Sequence, residues 1–168
     1  NWGLSLIYAR AQPCSGLRRP IDWAMAPPPL AVSTVHATCV AIGGHGLLLL
    51  GPSGAGKSDL ALRLIDRGAI LVADDQCELA EIAGQLHGAP PPTLAGKIEV
   101  RGLGIIERAW SAPVPLLLAV RLTDRTERMP DPAIEEIAGQ VLPAIRINAL
   151  EASAPIKVEL ALARQLEA

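Results

Sequence analysis

Aromatic side chains are almost missing. In 168 residues there is no phenylalanine, one tyrosine and three tryptophans. Proteins that bind single-stranded nucleic acid stack its bases on such rings, so this composition argues against that class of partner. An excess of positive charge is missing too. Fifteen Lys and Arg stand against 17 Asp and Glu, for a formal net charge of −2. That leaves no basic groove for nucleic acid and no polybasic patch for a membrane surface. Cysteine is sparse: Cys14, Cys39 and Cys77 lie far apart, with no CxxC pair and no clustered Cys/His spacing. A disulfide framework or zinc site is disfavoured, and the pattern fits a reducing cytosol. No apolar run approaches the roughly 20 residues of a membrane helix. Aliphatic residues are abundant instead. Half the chain is apolar, so the core must come from Leu, Ile, Val and Ala, and the length suits one ordinary domain.

The first 24 residues differ from the rest. They have no strong periodicity, and their short apolar patch has no basic stretch before it, unlike a secretory signal. Residues 1–24 are read as a non-native or disordered extension, with Met25 as the natural start and 25–168 as the functional domain. The alternative is a short extension that docks on a partner subunit.

Along the chain, the loosely alternating residues 34–41 predict a strand, 43–46 a turn, and 47–50 a strand buried on both faces. Residues 57–66 place Leu60, Ala61, Leu64 and Ile65 on one helical face, with Gly68 at a natural C-terminal position. Residues 69–73 form a second apolar strand, giving a βαβ-like order. Strands are further predicted over 76–83, 97–100, 114–122 and around Ile145 and Ile147. Loops are predicted over 87–96, 101–104 and 124–132, a short helix over 133–141, and a C-terminal helix over 155–168. No internal repeat or second domain is apparent.

Gly51, Pro52, Ser53, Gly54, Ala55, Gly56, Lys57 and Ser58 satisfy G-x-x-x-x-G-K-[ST]. The glycines let backbone N–H groups turn inward around a phosphate, and the helix N-terminus adds positive partial charge there. Lys57 would reach the β- and γ-phosphates, and the Ser58 hydroxyl would bind Mg²⁺. The preceding apolar strand and following amphipathic helix supply the context this motif needs. Asp74 and Asp75 end the second strand. In a regular strand they would point to opposite faces, so both serve one site only if the strand ends or bulges there. One would then hold metal while the other takes a proton from an incoming hydroxyl. Otherwise, one of the pair is a solvated strand-end or turn residue.

The stretches "GPSGAGKSDLALRLIDRGAILVADD" and "GAPPPTLAGKIEVRGLGII", with "VHATCVAIGGHGLLLL" before them, resemble the catalytic domain of bacterial HPr kinase/phosphorylase in its short proteobacterial form. The resemblance implies an α/β fold with a single P-loop-containing domain, similar to the HPr kinase and phosphoenolpyruvate carboxykinase-like core. It implies an ATP- and Mg²⁺-dependent serine kinase of an HPr-like phosphocarrier, cytoplasmic and homo-oligomeric (a hexamer by resemblance). The reverse dephosphorylation would use inorganic phosphate. It further implies Asp74 as general base, Asp75 and Glu99 as metal-site carboxylates beside Ser58, His36 as an active-site histidine, and Arg128 as a mobile-loop arginine. Arg101 belongs to the same signature as Glu99. Read alone, Glu99 and Arg101 form an exposed strand pair and His36 is structural. The chain departs from longer members at "NALEASAP", where they carry a glycine-arginine-asparagine loop. Two rivals remain. A small-molecule kinase would use the region of Arg121, Arg125 and Arg128 as a lid. A non-catalytic ATP-binding module would have no need of a base at Asp74.

Overall fold

The computed structural model describes residues 30–167; the expectation for residues 1–24 lies outside them. Strands β1 (Leu30–Val35), β2 (Thr38–Ile42) and β3 (His45–Leu50) lead into helix α1 (Lys57–Asp66). Strands β4 (Ile70–Ala73), β5 (Cys77–Ile82), β6 (Gln85–Ala89), β7 (Lys97–Val100), β8 (Gly104–Glu107) and β9 (Val114–Leu122) follow. Strands β10 (Ala133–Ile137) and β11 (Gln140–Ile147) precede helix α2 (Ala154–Leu166).

The main sheet runs β1-β5-β6-β9-β3-β2-β4, with β11 pairing β9 and β10 pairing β11. Strands β3 and β11 lie parallel to β9 on either side of it. Strand β2 is antiparallel to both β3 and β4, so β3 and β4 point the same way with β2 between them. The predicted β3–α1–β4 unit is therefore present, with a strand inserted into it. Strands β7 and β8 form a separate hairpin.

Alternation along β3 divides the core. Leu47 and Leu49 face a cluster with Leu60, Ala61 and Leu64 of α1 and Val158 and Leu162 of α2. Leu48 and Leu50 face the opposite cluster, with Cys39, Val72, Leu79, Leu116 and Leu142. Leu60 and Leu64 are fully buried, each worth about 1.5–3 kcal/mol. Helix α1 ends where Gly68, at φ 109°, donates its N–H to the Ile65 carbonyl at 3.0 Å.

Several expectations are corrected. The stretch 133–141 is not a helix: β10 and β11 form a hairpin turning at Ala138 and Gly139, both with positive φ. The same turn joins β5 to β6 at Ala83 and Gly84. Glu-Ile-Ala-Gly-Gln occurs at both places, over 81–85 and 136–140, so a short repeat does exist. The left-handed backbone of the Ala-Gly pair matches the strand twist, and this overrides the helix propensity of the flanking residues. Strand 34–41 is broken at His36 and Ala37, and part of the 87–96 loop belongs to β6.

The carboxyl ends of β3, β4, β9 and β11 and the amino end of β2 lie along one edge of the sheet. In open α/β sheets, ligands bind beyond the carboxyl ends of parallel strands.

Candidate active site

The glycine-rich loop follows β3 at this edge. Gly56 precedes α1 at φ 93°, a left-handed conformation suited to glycine, and no side chain caps the helix. The first-turn N–H groups and the helix dipole are thus available to an anion. Gly51 must be small as well: a Cβ there would come within 3.2 Å of both Ala55 and Leu122. The loop curls around Lys57, which is buried. Its Nζ donates to the Gly51 carbonyl at 2.9 Å and the Pro52 carbonyl at 3.1 Å. Burial pushes the Lys57 ammonium below the usual lysine range, while Asp75 and Asp74 pull the other way.

His36 sits in the break between β1 and β2. Its Nε2 lies 3.1 Å from Lys57 Nζ and its Nδ1 lies 3.1 Å from Asp75 Oδ1. An ammonium only donates, so a neutral His36 accepts at Nε2 and donates from Nδ1 to Asp75; this tautomer is assigned from the network. Lys57, His36 and Asp75 form one chain of contacts.

The two aspartates differ sharply. Asp74 is 6% exposed. Its Oδ1 accepts from the Thr38 and Ser58 hydroxyls, both at 2.8 Å, and its Oδ2 accepts the Glu99 backbone N–H at 3.0 Å. Asp75 is exposed, and its φ of 67° lies in the left-handed region. Such a conformation is uncommon outside glycine, and aspartate tolerates it better than most residues. The strand ends at Ala73, and both carboxylates reach the same edge. Both Asp74 oxygens are engaged by protein donors, Oδ1 twice and Oδ2 once. The Asp75 side chain is 67% exposed.

A cleft of about 460 Å³ covers this region. His36, Lys57, Ser58, Asp75, Glu99 and Arg101 are among its lining residues. Ile98, 1% exposed, anchors β7 in the core and sets Glu99 at the rim. Glu99 and Arg101 are both exposed, and both line this cleft. Arg128 lies in the exposed segment between β9 and β10 and lines neither this cleft nor its neighbour. Sequence reasoning missed Thr38. It lies two residues after His36, and its burial reveals its role: a fully buried hydroxyl needs a partner, and Asp74 is that partner.

The oxygen donors of Ser58, Asp74, Asp75 and Glu99 suit a hard cation. No group of three or more His, Cys, Asp or Glu forms a cage among the described residues. Mg²⁺ usually takes one or two protein carboxylates and completes its shell with phosphates and water, so it does not require such a cage. No helix among the described residues is long and apolar enough to cross a membrane.

Residues 30–110 match the family model described as the HPr Serine kinase C-terminal domain. An HPr kinase/phosphorylase of Clostridium tetani is 42% identical over 107 residues, covering 64% of this chain and 34% of that protein. One from Bordetella petrii is 45% identical over 105 residues, covering 62% and 33%. The chain thus spans about a third of the length of these curated relatives. The solved HPr(Ser) kinase/phosphatase of Coxiella burnetii superposes with a TM-score of 0.68 at 32% identity, over 80% of this chain and 90% of that one. The sheet-dominated α/β architecture, the glycine-rich loop with its aspartate pair, and these matches together show that the chain belongs to the HPr serine kinase C-terminal domain family.

Proposed function

We propose that this chain is an ATP- and Mg²⁺-dependent kinase that phosphorylates a serine of an HPr-like phosphocarrier. It would act in the cytoplasm, as a homo-oligomer, in the regulation of carbon metabolism. The observation that carries the reading is the division between the two aspartates beside the phosphate loop. Buried Asp74 grips the loop serine, and exposed Asp75 is paired with His36.

The loop backbone N–H groups and Lys57 bind the β- and γ-phosphates. Arg101 adds positive charge from the rim. A bound Mg²⁺ would neutralise charge on the β- and γ-phosphates, held by Ser58 and Glu99 with Asp74 fixing the Ser58 hydroxyl. Asp75, and not Asp74, takes the proton. The acceptor serine oxygen forms a bond to the γ-phosphorus as its proton passes to the Asp75 carboxylate. The bond from the γ-phosphorus to the bridging oxygen breaks, and ADP leaves. His36 holds Asp75 in place through Nδ1–H and senses Lys57 through Nε2. Proton transfer of this kind contributes roughly 10²–10⁴-fold; positioning and charge neutralisation supply the rest. In the reverse direction, an oxygen of inorganic phosphate forms a bond to the phosphorus of the phosphoserine, and the bond from that phosphorus to the serine oxygen breaks. Protonated Asp75 gives its proton to the leaving serine oxygen, and pyrophosphate departs.

The test is transfer of labelled γ-phosphate from ATP to purified HPr-like proteins of the source organism. Wild type is compared with Asp75→Asn and Asp74→Asn. Label on a carrier serine that vanishes in Asp75→Asn, with ATP still bound, supports the reading. ATP bound tightly with no carrier labelled by the wild type would overturn it.

A further inference from the structure

A second cleft, of about 450 Å³, opens on the far side of the glycine-rich loop. Pro52, Ser53, Gly54 and Ala55 form one wall, and Leu122, Thr123, Asp124, Asn148 and Leu150 complete it. Ser53, Gly54 and Leu150 line both clefts, so the two are continuous over the loop. Their chemistry differs. The inner cleft carries Lys57 and Arg101. The outer cleft has no cationic lining residue; its one charged group is the Asp124 carboxylate.

The outer wall is firmly built. The Arg63 guanidinium of α1 donates to the carbonyls of Ala149 and Glu151, the latter at 3.2 Å. Glu151 in turn pairs with Lys157 of α2 and accepts the Thr126 hydroxyl at 3.3 Å. Gly56 lets this wall approach, since a Cβ there would stand 3.1 Å from Ala149 Cβ. Asn148 Oδ1 accepts the Leu150 N–H at 2.9 Å, which leaves the Asn148 amide nitrogen to donate into the cleft. The Thr123 hydroxyl oxygen is already engaged by the Arg125 N–H at 3.3 Å.

We propose that the outer cleft is the nucleoside subsite, where the Asp124 carboxylate accepts from the ribose hydroxyls and the base is held without being read. The proposal rests on the phosphate loop binding a nucleoside triphosphate. Lys57, Ser58 and Asp75 mark the γ-phosphate end in the inner cleft, so the rest of the nucleotide leaves over Ser53 and Gly54. The size suits a nucleoside. A carboxylate takes a ribose hydroxyl in other nucleotide sites for the same reason: it accepts without competing for a proton. No aromatic ring lines the cleft to stack a base. Pro52, Ala55, Leu122 and Leu150 offer only apolar contact, and Asn148 Nδ2 offers one donor. A purine or a pyrimidine would fit equally well.

The experiment is titration of the full chain with Mg²⁺ and, in turn, ATP, GTP, CTP, 2′,3′-dideoxy-ATP and inorganic tripolyphosphate, for wild type and Asp124→Asn. Wild type should bind ATP, GTP and CTP within about threefold of one another. It should bind dideoxy-ATP at least about fivefold more weakly, the loss expected for hydrogen bonds to a charged group. In Asp124→Asn the ATP to dideoxy-ATP ratio should fall towards one. Equal affinity for ATP and dideoxy-ATP in wild type, or a ratio unchanged in Asp124→Asn, overturns the proposal while leaving the phosphate site intact. Strong discrimination among the three bases overturns the second half of it. Failure of both ATP and tripolyphosphate to bind removes the phosphate-loop reading and this proposal with it.

Discussion

Ser58 in the first turn of α1 donates its hydroxyl to Asp74 Oδ1 at 2.8 Å, tying the phosphate loop to the end of β4. The next residue, Asp75, turns away through a left-handed backbone and meets His36 instead. Adjacent carboxylates thus sit in different environments, and that difference separates their expected roles. Asp75→Asn should leave ATP affinity within a few-fold of wild type and lower the transfer rate by roughly 10²–10⁴-fold. Asp74→Asn should weaken Mg²⁺-dependent ATP binding and also lower the melting temperature, because Thr38, Ser58 and the Glu99 N–H lose a charged acceptor. Nucleotide titration beside single-turnover transfer separates the two. The reverse pattern would return the base to Asp74.

Thr38 supports Asp74 from beneath. Its hydroxyl is fully buried and donates to the same Oδ1 that accepts from Ser58. Thr38→Val preserves shape but puts a methyl against a carboxylate oxygen, and should cost about 1–3 kcal/mol in denaturant unfolding. Thr38→Ser retains the hydroxyl and should lose less. Equal losses in the two variants would mean that packing, not the hydrogen bond, is what Thr38 supplies.

The glycine-rich loop, α1 and the aspartate pair were legible in the sequence because their causes are local. A helical apolar stripe, a fixed glycine pattern and a buried run all lie within 30 residues. Thr38 was not legible, because only the long-range pairing of β2 with β4, which sets Cys39 opposite Ala73, brings it beside Asp74. The outer cleft was not legible either: Asp124 and Asn148 meet there only because β9 and β11 run parallel. The hairpin at Ala138 and Gly139 was hidden by its composition. Ala-Gly lacks the Asn or Asp that usually signals a turn with positive φ. The repeated Glu-Ile-Ala-Gly-Gln was the available clue. The two copies even touch, with Gln140 Nε2 donating to Glu81 Oε2 at 2.7 Å.

Gly46 shows how sequence and packing can assign one residue differently. The run of glycines predicts a turn through residue 46, but Gly46 is a buried strand residue opposite Leu116. A Cβ there would meet Leu116 Cδ2 at 2.7 Å and the Pro115 carbonyl oxygen at 3.1 Å. One of these contacts is backbone, so a rotamer change alone does not relieve both. Gly46→Ala should cost about 1–3 kcal/mol through overpacking, while Gly44→Ala, with open space but φ of 86°, pays only backbone strain. Chemical denaturation of both variants checks the ranking of the two causes only with a third, Gly46→Ala combined with Leu116→Val. Recovery of stability in that pair identifies the clash.

Stability should also carry an acid signature from the β9–β10 contact. Arg121 holds Glu135 in a bidentate pair, Nε to Oε1 at 3.0 Å and Nη2 to Oε2 at 2.6 Å. The Arg121 hydrogen bond holds the Glu135 carboxyl below its ordinary value of 4.5, with burial opposing and the charges of Arg121 and Arg146 adding to it. A carboxylate depressed by folding binds fewer protons in the native state than in the unfolded one, so its contribution is complete above the unfolded value. It shrinks as pH falls through 4.5 and is gone below the folded value. Glu135 is 16% exposed and Arg121 40%, so solvent screening limits the pair to about 1 kcal/mol. Wild type should therefore exceed Glu135→Gln by about that amount from pH 8 down to about 5, and the gap should close as the pH falls further. Glu151 and Glu159 are depressed in the same way by Lys157 and Arg67, but they are present in both proteins and cancel in the difference. Urea unfolding of the two proteins across this range measures the gap directly. A gap that persists unchanged at pH 3 would assign the effect to packing of the side chains rather than to the charge on Glu135.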